Sequence, residues 1–211
     1  LYTLPSDYYL INKMMVYTKE LAAGTTTSTN GAGISVADTT ADFIAAGVAV
    51  GDIVSTITGG VVYNTIVSQV VSATNLLVFT TPGVIVWNAI GKTYNIYSAN
   101  NIIEAERVAQ SKITMLNNSV LTRPNIGYPA YTQDALAAQA YPNTINKIGQ
   151  FTSQYVRYPL PPNWHYATLL AGEPLFDPTA ADYQDFELPL SDEPMLVAKI
   201  CQYVGLEIRE A

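Results

Sequence analysis

Between residues 34 and 97 the chain repeats one device: short runs of Val, Ile and Thr, each stopped within a few positions by a turn residue. Side chains branched at Cβ favour extended backbone and pack well on a pleated surface, so runs 34–36, 48–57, 61–71, 76–79, 84–87 and 94–97 read as strands. Short strands at regular spacing predict a small β-barrel or sandwich. Between the first two runs, Asp38 or Thr39 is placed to cap a single helical turn that Gly47 ends. Gly51-Asp52 inside the second run marks a turn or bulge. Asp38, Asp42, Asp52 and Lys92 are the block's four charged residues, so hydroxyls and amides keep its surface soluble.

The flanking sequence has a different character. Residues 1–7 read as an entry strand or turn, 8–17 as a β-favouring aromatic stretch, and 24–33, nearly all Gly, Thr, Ser, Asn and Ala, as a linker or long loop. After residue 97, Asn101 with Glu104 three positions on makes a capping signature, and Ile102, Ala105, Ala109, Ile113 and Leu116 recur at helical spacing. Arg123-Pro124 and Tyr128-Pro129 break that period, and 130–132, 135–141, 144–148 and 151–158 read as strands of a second sheet. The alanines of 135–140 suit a helix equally well. A last helix has Ser191 as cap, Asp192 and Glu193 in its first turn, and Pro194 close behind. Its apolar stripe is Leu196, Val197, Ile200, Cys201 and Val204, with Gly205 as the stop and 206–209 leaving in strand-like alternation. The expectation is an α+β fold: a host domain of residues 1–33 and 98–211, with two main helices and a β-sheet, interrupted by an inserted small β-barrel or sandwich domain, 34–97.

A chain of 211 residues, 49% apolar, can bury a real core in one domain or two small ones. Its 13% of charged residues is about half the usual share, which suits faces that meet other proteins, although many extracellular β-proteins share it. The net charge of -7 is wholly C-terminal: residues 1–172 hold eight acids and eight bases, residues 173–211 nine acids and two bases. With a pI near 4.5 and no Lys/Arg cluster, the chain lacks the footprint of a nucleic-acid grip and should repel DNA. One cysteine, Cys201, excludes an internal disulfide framework and any multi-cysteine zinc site, and its helical context predicts a buried thiol. No run of about 20 apolar residues and no charged-then-apolar leader is present, so no membrane span or signal peptide is expected. The chain opens on Leu1, which leaves room for a segment ahead of it.

Candidate chemistry is sparse. His165 is the only histidine, which disposes of multi-histidine metal sites, and its neighbours Trp164 and Tyr166 suggest a hydrogen-bonded turn. Ser119, Ser153 and Ser191 lie in no Gly-x-Ser-x-Gly context. Asp177, Asp182, Asp185 and Glu187 invite a two-carboxylate glycosidase reading or a calcium site at Asp182, Asp185 and Glu187, against the plainer one of a solvated acidic loop. Gly59-Gly60 and Gly31-x-Gly33 are turns, with no Lys-Ser/Thr after them. Trp87 and Tyr94 are either a carbohydrate platform or core. No catalytic residue, cofactor or metal is therefore expected, and no enzymatic activity.

Leu4-Pro5-Ser6-Asp7-Tyr8, Glu104-Ala105-Glu106-Arg107 leading to Leu121-Thr122-Arg123-Pro124, Tyr141-Pro142-Asn143-Thr144-Ile145, Tyr155-Val156-Arg157-Tyr158-Pro159, Pro162-Asn163-Trp164 and Asp185-Phe186-Glu187-Leu188-Pro189 follow one another along the host segments. In that order they resemble head-to-tail connector or adaptor proteins of short-tailed bacteriophages, including the crAss-like group and relatives that infect Bacteroidetes. The block around Asp38-Thr39-Thr40-Ala41-Asp42-Phe43 and Gly47-Val48-Ala49-Val50-Gly51-Asp52 resembles a small β-module that decorates phage structural proteins, an insertion that connectors commonly lack. The resemblance implies a homo-oligomeric, twelve-fold ring in the virion neck or tail, assembled in the host cytoplasm. Its partners would be portal and tail proteins, with packaged DNA passing nearby without specific binding. The proline-locked stretch 158–162 would present an interface of Arg157, Tyr158, Trp164, Tyr166 and Phe186. The alternatives are another phage tail or ring protein, a glycan-binding module using the inserted domain, and a wall-degrading enzyme with paired acids.

Overall fold

The computed structural model describes residues 2–28, 34–79, 87, 89–168 and 172–205. Most of the expected strand at 84–87, half of the expected linker and the segment 206–209 lie outside those residues. The fold is mixed and mostly β, as the α+β expectation requires. The chain divides into two compact units, Leu1–Val156 and Arg157–Ala211.

The first unit contains strands β1 (Tyr2–Thr3), β2 (Tyr8–Tyr17), β3 (Glu20–Thr25), β4 (Ser35–Ala37), β5 (Ile53–Thr58), β6 (Val61–Ser72), β7 (Asn75–Val78), β8 (Thr93–Tyr97), β9 (Ile102–Glu104) and β10 (Glu106–Arg107). Helix α1 (Gln110–Asn118) and strands β11 (Ala130–Asp134), β12 (Ala137–Tyr141) and β13 (Phe151–Arg157) follow. Three sheets result, ordered β3-β8-β5-β6-β7-β4, β1-β12-β11-β10 and β13-β2-β9.

In the six-stranded sheet every pairing is antiparallel, and the β5–β6 hairpin turns on Gly59-Gly60, both at positive φ, as a two-residue loop between right-twisted strands demands. Glu20–Thr25, partly assigned to a linker from composition, is a strand because its backbone groups complete the open edge of β8. Three residues past it, Ser28 forms an isolated antiparallel bridge with Ala37 of β4. Val36, Val54, Val67, Leu76, Val78, Tyr94 and Ile96 fill the interior with Trp87. Phe43 joins them from a helical turn that Asp42 caps, its carboxylate accepting from Ala45 N–H at 2.9 Å. Asp42 therefore takes the role expected of Asp38 or Thr39, and Gly47, at φ 75°, ends the turn. Residues 48–52 are turn rather than strand, because Asp52 draws the backbone around its carboxylate, accepting from Ala49 N–H at 2.8 Å and Ala99 N–H at 3.0 Å.

The helix expected from Asn101 begins only at Gln110. Ile102 and Ile103 instead extend along the edge of β2, with Val16 opposite Ile103, and Ala105 N–H donates to Met14 O at 2.8 Å. A β-branched pair beside a free strand edge gains more from the ladder than from helical spacing, which here is coincidental. Residues 144–148, expected as a strand, form turns that carry the chain against the outer face of the six-stranded sheet. There Tyr97 OH donates to Ile148 O at 2.7 Å, Lys147 pairs with Glu20, and Gly149 lies against Ser55 and Asn64. A Cβ on Gly149 would fall 2.0 Å from Ser55 Oγ, at φ 69°.

One polar group is buried beside the aromatic interior. Asp38 Oδ2 accepts from Tyr94 OH at 2.7 Å, and Oδ1 accepts from Thr40 N–H at 2.9 Å and Thr40 Oγ1 at 2.6 Å. Burial opposes ionisation of Asp38, but those hydrogen bonds outweigh it and hold the carboxyl below its ordinary range. The same burial and the Asp38 charge push the Tyr94 phenol well up.

The second unit is a hairpin of β14 (Tyr166–Thr168) and β15 (Pro174–Phe176), a 3-10 turn Leu190–Asp192 and helix α2 (Glu193–Val204). Outside the hairpin, Asn163 and Gln184 exchange both backbone hydrogen bonds, at 2.8 and 2.9 Å. Helix α2 matches its sequence signals at Pro194 and at Gly205, whose φ of 76° closes the C-terminus. Ser191 is not its cap: it lies in the 3-10 turn, and Asp192 occupies the cap position. Cys201, expected to be buried, is half-buried.

Gly149→Ala should cost about 3 kcal/mol or more, since strain at positive φ and a clash with the Ser55 side chain add, whereas Gly60→Ala, with open space around its Cβ, should cost about 1 kcal/mol. Urea unfolding of both variants checks this, and equal costs would contradict the packing at Ser55. Because the folded-state Asp38 pKa is depressed, its stabilisation is complete above about pH 3.9 and is lost as pH falls through the folded value. Asp38→Asn should thus be less stable than wild type at neutral pH, with the gap narrowing as pH falls below about 3.9; a gap independent of pH would refute it.

Candidate interaction surface

The C-terminal unit has an unusual property: among its described residues none is buried. Yet it is rich in large apolar side chains, because strand pairing and prolines bring aromatics together without a layer to cover them. Trp164 meets Phe176 at a ring-centroid separation of 5.7 Å and Phe186 at 5.9 Å, edge to face, and Phe176 meets Tyr183 at 5.5 Å. The Asn163–Gln184 bridge places Trp164 beside this group, and β15 delivers Phe176.

Leu196, Val197 and Ile200, from one stripe of α2, join Trp164, Phe176 and Phe186 in lining a groove of about 410 Å³. Leu188, Pro189 and Leu190 complete its apolar wall, and Asp185 and Glu193 are its carboxylates. The stripe that reads as core-facing in the sequence is therefore half open, with Val197 at 50% and Ile200 at 44% exposure. Of the expected interface residues, the fold brings Trp164 and Phe186 into contact. Arg157 does not line the groove: its guanidinium pairs with Glu187, and Glu187 also accepts from Leu160 N–H at 3.1 Å. That clamp, with Arg157 Nη1 donating to Tyr158 O at 3.1 Å, holds the proline-rich stretch in place. Tyr158 and Tyr166 are exposed and do not line the groove. Phe176, Tyr183 and the α2 stripe are the residues that sequence reasoning missed; the helix period was visible, but not that its partner would be an open aromatic row.

The other candidates separate. Asp182 takes the side chain of Asn163 and lies 3.0 Å from His165 Nε2, a contact that falls short of hydrogen-bond geometry. Asp177 is held below its ordinary range by the Thr179 hydroxyl and N–H, with a smaller contribution from His165. Asp185 accepts from the Phe186 N–H and Glu187 faces Arg157, so Asp182, Asp185 and Glu187 each serve a different partner. Among the described residues no three His, Cys, Asp or Glu side chains group to hold a metal. Trp87 and Tyr94, weighed as a sugar platform, are 2% and 0% exposed and belong to the interior. Comparison with protein-family models, curated proteins and solved structures finds no match to this chain.

The Arg157 side chain and then the Leu160 N–H depress the Glu187 pKa, so the clamp should persist below the usual glutamate range and release only in stronger acid. A pH titration of the Leu160 amide by NMR should show a midpoint under about 4.3, absent in Glu187→Gln. A midpoint at or above that value would remove the clamp from solution.

Proposed function

We propose that this protein is a structural subunit of a bacteriophage virion, a head-to-tail connector ring that joins portal to tail around the DNA channel. The observation that carries the reading is the C-terminal unit without a buried residue among those described: Trp164, Phe176, Leu188, Leu190 and Val197 are each about half exposed or more. An apolar surface of this kind suits contact with another protein. The order of connector-like stretches along the host segments supports the virion setting. So does the acidic balance of residues 173–211, which disfavours adhesion to the phosphates of a passing genome.

In this reading residues 34–97 are an inserted β-barrel domain within a host of 1–33 and 98–211. The single bridge from Ser28, just past β3, to Ala37 of β4 favours closure of the six-stranded sheet, with β3 contributed from ahead of the insert. A barrel removes exposed strand edges, which suits a module carried in many copies at high local concentration. The glycan-binding alternative loses its platform with Trp87 and Tyr94 in the interior.

Purified protein should form closed rings by electron microscopy, alone or on addition of a phage portal protein. Trp164→Ala should cut ring yield by about tenfold or more with β-sheet circular dichroism unchanged. A protein that stays a single chain with its portal, or rings that form normally with Trp164→Ala, would count against the proposal.

A further inference from the structure

The turn that follows α1 presents a feature the fold does not use. Val120 and Leu121 are 96% and 95% exposed, adjacent, and at the tip of a well-built loop. Ser119 N–H donates to Leu116 O at 3.2 Å, Ser119 Oγ accepts from Thr122 N–H at 3.3 Å, and Asn125 Oδ1 accepts from Gly127 and Tyr128 N–H at 2.9 and 3.1 Å. Pro124 stiffens the exit. Two aliphatic side chains are thus held out into water on a short ordered support, followed directly by Arg123, while Lys112, Glu104 and Glu106 line the cavity beneath Leu121.

The groove of the C-terminal unit has the opposite character. It is concave and lined by aromatics and aliphatics, and its charges, Asp185 and Glu193, are negative. Its aliphatic floor of Leu196, Val197 and Ile200 offers a sugar no hydrogen bonds, and its carboxylates repel nucleic acid. A paired aliphatic tip with an arginine beside it matches that groove in apolar character and, through Arg123, in charge, and this chain carries one.

We propose that the 119–125 turn of one copy seats Val120 and Leu121 in the aromatic groove of a second copy, with Arg123 facing Asp185 and Glu193. Turn and groove are different surfaces, so the contact is heterologous: each copy offers one of each, and repetition gives a closed ring or an open filament. The inference rests on the assembly reading above and specifies which surfaces make it.

Two variants test it. Val120→Ser/Leu121→Ser spoils the turn, and Glu193→Lys/Val197→Asp spoils the groove. Each alone should sediment as a single chain where wild type forms multi-copy assemblies. Their equimolar mixture should give a dimer that grows no further, because it joins the one intact turn to the one intact groove and leaves spoiled ends. A mixture that remains single chains, or either variant assembling like wild type, overturns the contact, as does a wild type that never self-associates.

Should circular dichroism find either double variant unfolded, the single changes Arg123→Glu and Glu193→Lys read the same contact. Each alone should weaken association by about tenfold, and mixing should restore large assemblies through both the native and the exchanged charge pair. Failure of the mixture to recover overturns the proposal. Wild type that forms open chains, together with a mixed dimer, keeps the contact and removes the ring. Rings that persist in the turn variant keep the ring and remove the contact.

Discussion

Burial of strand β8 on both faces is the constraint from which the first unit follows. Tyr94 and Ile96 point into the interior of the six-stranded sheet, while Asn95 and Tyr97, on the opposite face, are equally removed from water. A strand hidden on both sides must have a second layer beyond its sheet, and here that layer includes the 147–150 turn and Tyr17, whose ring stacks on Tyr97 at 5.4 Å. Asn95 reaches Glu20 at 2.6 Å, and Glu20 in turn pairs with Lys147, so polar groups on that face are satisfied rather than merely covered. The absent side chain of Gly149 allows the backbone to approach Ser55 closely enough for this layer to form.

The two units illustrate different ways of holding a chain. In the first, buried apolar clusters do most of the work, supplemented by the Asp38, Thr40 and Tyr94 network. In the second, side chains bond to nearby backbone, prolines limit the unfolded alternatives, and aromatic edges meet at the surface. Such a unit keeps its shape locally while leaving much of its apolar area exposed to water. Covering that area would remove apolar surface from water, and the proposed assembly role draws on this.

Legibility in the sequence followed the range of the interactions involved. Strands β5 to β8 were readable because β-branched runs and the Gly59-Gly60 turn act within a few residues, and α2 because Pro194 and Gly205 do the same. The 102–107 stretch was misread as helix, since its fate depends on an edge of β2 that lies some ninety residues earlier in the chain. Asp42 displaced Asp38 as a cap for a similar reason: Asp38 is engaged by Tyr94, fifty-six positions away. In the candidate surface, Trp164 and Phe186 were legible as aromatics near prolines, whereas Phe176 and the α2 stripe were not, because amphipathic spacing says which face is apolar and not what covers it.

The amino-acid sequence by itself determined the mostly β character, the position of the last helix, the want of a basic nucleic-acid grip and the C-terminal concentration of acid. These depend on composition, local backbone preference and charge, which are properties of neighbours along the chain. Tertiary structure alone decided that Trp87 and Tyr94 are interior, that β3 joins the six-stranded sheet, and that the stripe of α2 stays open beside an aromatic row. Those outcomes turn on which distant surfaces meet, and a residue's exposure is set by that meeting rather than by its identity.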